Sequence, residues 1–240
     1  MRVSVIVPAL DEADSIGACL RSIRGQGMEA EVLVVDGGST DTTVETASRD
    51  ARVVRGIRGR GAQMNAGARL STGDVLLFLH ADTVLHPRAL FGMLRALVDR
   101  RVVGGTFTLR FDTAHPPLRL YGWCVRLPWL RYGDQGIFVR REVFERLGGY
   151  RELPLLEDVD LLRRMRRDGR LAVVSHPVTT SARRFVERGI VRQQLVNGAI
   201  LIAYALGVPP ARLAGWYAGT RAIRQPRRAR ALFGDRCNEL

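Results

Sequence analysis

Through the first half of the chain, short apolar runs alternate with amphipathic stretches. Val3 to Val7 and Val75 to Leu79 are almost unbroken apolar runs, the pattern of strands buried on both faces, and Glu31 to Val35 and Arg52 to Val54 read as strands of the same kind. Between them the spacing predicts a helix through Ile16, Leu20 and Ile23 capped by Asp14 or Ser15, and a second opened by Asp41 through Val44 and Ala47. A third runs from Arg60 to Leu70. After the most apolar strand, Pro87 marks a helix start and Ala89 to Val98 continues it. This rhythm predicts an α/β fold: a mainly parallel, doubly wound sheet with helices on both faces.

The second half is less regular. Val103 to Phe111, Gly136 to Arg140 and Leu171 to Val174 have strand character, while Glu142 to Leu147 and Glu157 to Arg167 have helical character. The stretch through Pro116, Pro117, Trp123, Pro128 and Trp129 has the composition of a loop or lid. Leu195 to Val208 is almost wholly apolar, yet shorter than the ~20 residues that cross a bilayer. A buried C-terminal helix is therefore expected there. The alternative is an interfacial helix that works with the arginines from Arg221 to Arg230 against anionic lipid.

Charge adds a constraint on partners. Lys and Arg total 37 against 24 acidic residues, a net charge of +13, and every basic residue is arginine. Such a surplus favours anionic partners such as nucleotide diphosphates, nucleic acid or an anionic membrane, without choosing among them. Cys19, Cys124 and Cys237 are too scattered for a zinc site or a disulfide framework, so a reducing cytosol is expected. The short apolar run at the start reads as a strand rather than a signal peptide.

Three acidic stations stand where strands run out: Asp36 to Asp41, His80-Ala81-Asp82-Thr83, and Glu157-Asp158-Val159-Asp160. In an open α/β sheet the ligand crevice lies at the carboxyl ends of the strands, so carboxylates there face a ligand. Each has a plainer reading, as a turn-former, a helix cap or a first-turn acid favoured by the helix dipole. The first turn, Pro8 to Glu12, lacks the G-x-G-x-x-G of dinucleotide-binding proteins, which weakens a dehydrogenase reading. Arginines interleaved with glycine from Arg55 to Gly67 suit a phosphate cradle, or else a solvated basic loop. A single carboxylate at Asp82 holds Mg²⁺ or Mn²⁺ only if diphosphate oxygens and water complete the shell.

As a set these residues resemble the family 2 glycosyltransferases, which have the GT-A nucleotide-diphospho-sugar transferase fold. The resemblance covers roughly Arg2 to Val174. It rests on Val-Ile-Val-Pro-Ala-Leu-Asp-Glu at the start, Val-Val-Asp-Gly-Gly-Ser-Thr-Asp, Arg-Gly-Ala-Gln-Met-Asn-Ala-Gly, Leu-His-Ala-Asp-Thr, and Leu-Gly-Gly-Tyr followed by Glu-Asp-Val-Asp-Leu. More narrowly, Leu-His-Ala-Asp-Thr with Tyr-Gly-Asp-Gln-Gly-Ile-Phe-Val-Arg-Arg is similar to a bacterial subgroup labelled arsenosugar-biosynthesis or radical-SAM-associated glycosyltransferases.

The resemblance implies inverting, non-processive transfer of a sugar from a nucleotide-sugar donor, a UDP-sugar, to an acceptor hydroxyl, assisted by Mn²⁺ or Mg²⁺. Residues 1–180 would form the catalytic domain, with 1–100 the nucleotide-binding half and 101–180 the acceptor half, followed by a basic helical extension over 181–240. Pro8, Ala9, Glu12, Asp36, Arg60 and Ala81 would contact the nucleotide, Asp82 would hold the metal with His176 as a further candidate ligand, and Asp158, with Glu157 beside it, would act as base. Asp134, Gln135, Arg183 and Arg184 are candidates for the acceptor or the diphosphate. His80 replaces the first carboxylate of the usual D-x-D, and the Q-x-x-R-W of processive members is absent. The acceptor is expected to be a small molecule or a lipid, with no nucleic-acid partner and a cytoplasmic location in reach of the inner membrane face. A nucleotidyltransferase making nucleotide sugars, or a non-catalytic basic module on membrane or nucleic acid, are the competing readings.

Overall fold

A computed structural model describes residues 1–56, 58–113, 115, 118, 135–183, 186 and 189–222. Strands β1 (Val3–Ala9), β2 (Glu31–Asp36), β3 (Arg52–Arg55) and β4 (Val75–Phe78) are interleaved with helices α1 (Ala13–Arg24), α2 (Thr43–Ser48) and α3 (Arg60–Leu70). Then follow β5 (Thr83–Leu85), α4 (Ala89–Ala96), β6 (Val102–Phe111), β7 (Ile137–Arg140), α5 (Arg141–Arg146), α6 (Glu157–Asp168), β8 (Arg170–Thr180), α7 (Ile190–Ala205) and α8 (Pro210–Ala222).

One sheet has the order β3-β2-β1-β4-β7-β6-β8-β5. Its first four strands are parallel, with Ala9 opposite Asp36 and Asp36 opposite Arg55, so their carboxyl ends share an edge. β7 then pairs antiparallel with both β4 and β6, while β6 and β8 run parallel.

The strand pattern divides the core in two. Val5, Val7, Val34 and Leu77 pack with the apolar faces of α1 and α4, whereas Ile6, Val35, Leu76 and Phe78 pack with Met64 of α3 and Leu161 and Met165 of α6. Helices therefore cover both faces, as the alternation predicts. Gly67 brings α3 close to the sheet: a Cβ there would clash with the Ile6 side chain, so α3 rests almost directly on β1.

Several expectations are corrected. The segment after Asp82 forms the short strand β5, antiparallel to the end of β8, where no strand was expected. β8 continues past Val174 to Thr180 through an irregularity at Ser175–Pro177, which leaves Phe107 opposite Val174 and Leu109 opposite Val178. Neither Asp14 nor Ser15 caps α1: Glu12 occupies the cap position, and the Ser15 hydroxyl donates back to Glu12 Oε2 at 2.8 Å. The apolar C-terminal helix is not buried. Of α7, only Gln193 and Ile200 are buried.

Candidate functional site

The turn after β1 is pinned to the turn after β2. Asp11 adopts a left-handed φ of 52°, its amide donates to Ser39 Oγ at 3.0 Å, and its carboxylate accepts from the Thr40 amide at 2.8 Å. The Glu12 amide donates to Thr43 Oγ1 (2.8 Å) and the Ala13 amide to Asp41 Oδ2 (3.1 Å). Hydrogen bonds, chiefly from the Thr43 hydroxyl, hold the exposed Asp41 carboxyl below its usual range. Asp36 is buried and spends its carboxylate on its own loop, accepting from the Gly38 and Ser39 amides at 3.0 and 3.1 Å and from the Ser39 hydroxyl. The turn-forming role is thus present, and Asp36 shapes the wall beside Ala9 by fixing Gly37 to Ser39.

Helix α3 positions the next group. Gln63, buried and facing the sheet, donates to the carbonyls of Ala9 (3.0 Å) and Val35 (2.7 Å), which locks the start of α3 onto the ends of β1 and β2. Asn65 pairs with the backbone of Tyr150 through two bonds of 2.8 Å, one donated and one accepted. The middle of the expected phosphate cradle is therefore a set of amide pins. Arg60, the first residue of α3, is what they hold at the edge. Its guanidinium reaches Glu157 Oε1 at 3.6 Å and Asp158 Oδ2 at 3.9 Å.

The acids of α6 separate into two roles. Asp160 is bound by Arg164 (2.7 Å) and Arg151 (3.3 Å), and Arg164 also donates to the carbonyls of Leu147 and Gly149, so this carboxylate braces the loop before the helix. Glu157 and Asp158 face Arg60 instead. Leu156, immediately before them, is held at φ 66°, a costly conformation for a leucine that survives only where surrounding contacts fix it.

Asp158 lines a cavity with Pro8, Phe78, His80, Ile137 and Tyr150. The Tyr150 ring is held edge-on to Phe78, centroids 5.0 Å apart, and lies 5.8 Å from Phe144. Its buried hydroxyl has no hydrogen-bond partner among the described residues. Burial pushes the phenol well above its usual pKa, and the charges of Asp158 and Glu157 add to the shift. Tyr150 was not singled out by sequence reasoning; a Tyr closing Leu-Gly-Gly-Tyr a short loop ahead of the acidic station was the available signal.

Asp82 is half-buried on the same edge, two residues beyond His80, and accepts from the Thr83 hydroxyl at 3.3 Å. Beneath it, burial raises the Cys19 thiol pKa, with the Asp82 charge adding to the effect, and the thiol lies 3.5 Å from the His80 carbonyl. The Ser181 amide donates to the Asp82 carbonyl, and Arg183 reaches Glu12 Oε2 at 3.7 Å, so the segment after β8 closes on the β1 turn. Ala81 and Gln135 are buried.

The structure does not bring His176 to Asp82. His176 packs against Gly92 of α4 with its ring 5.2 Å from that of His86, and it precedes the Ser181 that touches Asp82 by about 15 Å of strand. Among the described residues no three His, Cys, Asp or Glu side chains cluster to hold a metal. The donor set at Asp82 is one carboxylate, which suits a hard divalent cation only when a bound diphosphate supplies further oxygens. Asp134, Arg184, Trp123, Trp129 and Tyr132 lie outside the described residues.

Comparison with known proteins places this edge in a family. The model of "Glycosyl transferase family 2" matches residues 4–148. A PGL/p-HBAD biosynthesis glycosyltransferase of Mycobacterium bovis is 30% identical over 164 residues, covering 61% of this chain and 62% of that protein. The match thus spans about three fifths of the curated relative's length. Among solved structures, S. aureus TarS 1-349 in complex with UDP-GlcNAc superposes with a TM-score of 0.64 at 18% identity, covering 75% of this chain and 58% of that one. Mannosyltransferase PcManGT from Pyrobaculum calidifontis, in complex with GDP-Man and Mn2+, superposes with a TM-score of 0.62 at 21% identity, covering 94% and 81%. These likenesses show the GT-A fold.

Proposed function

The chain belongs to glycosyl transferase family 2, and we propose from that membership and the geometry of the cleft that it moves a sugar from a UDP-sugar to an acceptor hydroxyl, in single transfers with inversion at the anomeric carbon. The observation that carries this reading is Asp158: a buried carboxylate in the first turn of α6, lining one cavity with Pro8 near the end of β1 and His80 just past β4. A carboxylate so placed, held beside Arg60 at the carboxyl edge of the sheet, can serve as general base for an acceptor hydroxyl brought to that edge.

In this proposal Pro8, Ala9, Glu12, Asp36, Arg60 and Ala81 form the nucleotide wall. The amide network that pins the β1 turn to the β2 turn makes that wall rigid before the donor arrives, which lowers the ordering cost of binding. Arg60, at the amino end of α3, presents a planar cation to the diphosphate. Arg183 approaches the same region beside Glu12. Asp82 would hold Mn²⁺ or Mg²⁺ together with the diphosphate, and the ion would supply neutralisation of leaving-group charge. Asp158 takes the acceptor proton as the acceptor oxygen bonds to the anomeric carbon, and the bond from that carbon to the diphosphate breaks on the opposite side. Glu157 shares Arg60 with Asp158 and sets its position.

The bound donors in the two superposed structures, UDP-GlcNAc and GDP-Man, carry different bases and sugars. The test is a donor screen read by mass spectrometry, with UDP- and GDP-sugars and cell extract as acceptor source. A new glycoside with inverted configuration, lost in Asp158→Asn, supports the reading; consumption of no donor by the folded protein refutes it. The narrower assignment to the radical-SAM-associated subgroup rests on the Leu-His-Ala-Asp-Thr and Gln-Gly-Ile-Phe-Val-Arg-Arg segments, and an acceptor drawn from such a pathway would be its support.

A further inference from the structure

Helix α7 turns several of its large apolar side chains to solvent. Val191, Leu195, Ala199, Ile202 and Leu206 recur at spacings of four, four, three and four, which on a helix of ~3.6 residues per turn places them in one stripe about 22 Å long. All five are exposed, Leu195 by 70%, Ile202 by 64% and Leu206 by 80%. The side turned to the protein carries the two buried residues Ile200 and Gln193, and Gln193 lies within hydrogen-bonding distance of Asn197 (2.8 Å) and the Tyr217 hydroxyl of α8 (3.4 Å). A helix packed on a water-soluble core shows the reverse arrangement. An apolar stripe of this extent needs an apolar occupant.

Charge identifies that occupant. From Gly189 to Gly234 the sequence holds no Asp or Glu, while Arg192, Arg212, Arg221, Arg224, Arg227, Arg228 and Arg230 fall within the same stretch. On α8, Trp216 is 57% exposed, an amphipathic ring of the kind that settles at headgroup depth. Among the described residues no helix is long and apolar enough to cross a membrane. We propose that α7, with α8, seats the protein on an anionic lipid bilayer, the stripe lying in the interfacial plane and the arginine surplus of this part of the sequence drawing it to anionic headgroups. Nucleic acid would satisfy the arginines and leave the stripe in water; a second copy of this chain would cover the stripe and bring the arginines of both copies together. Neither satisfies both features.

The proposal stands independently of the transfer reaction, and its test uses no substrate. Full-length protein is sedimented with vesicles of pure phosphatidylcholine or of phosphatidylcholine with ~30% phosphatidylglycerol. The triple variant Leu195→Gln, Ile202→Gln, Leu206→Gln is compared with wild type, its fold verified by an unchanged melting temperature. Wild type is expected to sediment with the phosphatidylglycerol vesicles, at least ten times more weakly with phosphatidylcholine or at high salt, and the variant to lose most of its binding. Failure of wild type to bind the anionic vesicles overturns the proposal, as does variant binding equal to wild type. So does size-exclusion behaviour in which the stripe substitutions convert a dimer to a monomer while vesicle binding is absent, or tight binding to duplex DNA that the variant retains without any vesicle binding.

Discussion

At the level of single residues, the site turns on two groups that share one cavity. Asp158→Asn keeps the shape of the side chain and its place near Arg60 but removes the base, so turnover is expected to fall by about 10²–10⁴ with little change in melting temperature. A loss of folding in that variant would mark Asp158 as structural instead. Tyr150 gives the complementary case. Its hydroxyl is buried without a partner among the described residues, and an unsatisfied polar group of this kind costs ~1–3 kcal/mol, so Tyr150→Phe is expected to raise stability by about 1 kcal/mol at neutral pH. The pH dependence follows from the raised phenol pKa: the unfolded chain ionises first, so stability is full below the ordinary tyrosine pKa of ~10 and falls as pH rises above it. Melting curves from pH 8 to 11 should show the wild type losing stability faster than Tyr150→Phe; parallel curves would contradict this. The acids were legible in the sequence because carboxylates at strand ends stand out. Gln63 and Asn65 were not, since an amide reveals its role only once the carbonyls of Ala9 and Val35 and the backbone of Tyr150 lie against it.

At the level of elements, α3 is the part that ties the donor wall to the base. Gln63 fastens it to β1 and β2, Asn65 fastens it to the Gly149–Tyr150 turn, and Arg141 closes its far end by donating to the Ala68 carbonyl at 3.0 Å and the Ser71 hydroxyl at 2.9 Å. Asn65→Ala strands an amide and a carbonyl of Tyr150, and is expected to cost about 2 kcal/mol. Because the same turn leads into Glu157 and Asp158, it should also lower kcat at temperatures where the protein remains folded. Chemical denaturation and initial rates measured on one preparation check both; lost stability with wild-type kcat would separate the pin from the site. The βα alternation was readable along this half because buried parallel strands leave long apolar runs. β5 and the end of β8 were not. β5 pairs with the end of β8, which lies far off in sequence and also pairs with β6, and Pro177 in the Ser175–Pro177 irregularity breaks the run that would have shown β8 to continue.

At the level of the whole molecule, the order of the stations along the chain becomes a position in space because β1, β2, β3 and β4 are parallel and end at one edge, to which α6 adds its first turn. That much the sequence pattern announces. The orientation of α7 it cannot announce, since an apolar run reads the same whether it faces a core or a lipid surface, and only the exposure of Leu195 beside the burial of Gln193 distinguishes them. The shared edge makes a prediction about linkage. UDP at about 100 times its dissociation constant adds ~2.7 kcal/mol, which for a chain of this size raises the melting temperature by roughly 5–10 °C, and a divalent ion that binds beside it at the same relative excess adds about as much again. Asp82→Ala should abolish the part of the shift that requires Mn²⁺ while leaving the part due to UDP alone, whereas Arg60→Ala should diminish both. Asp158→Asn should leave both intact, since the base faces the acceptor. A Mn²⁺-dependent shift that persists undiminished in Asp82→Ala would remove that carboxylate from the metal site and require the ion to be held elsewhere along the edge.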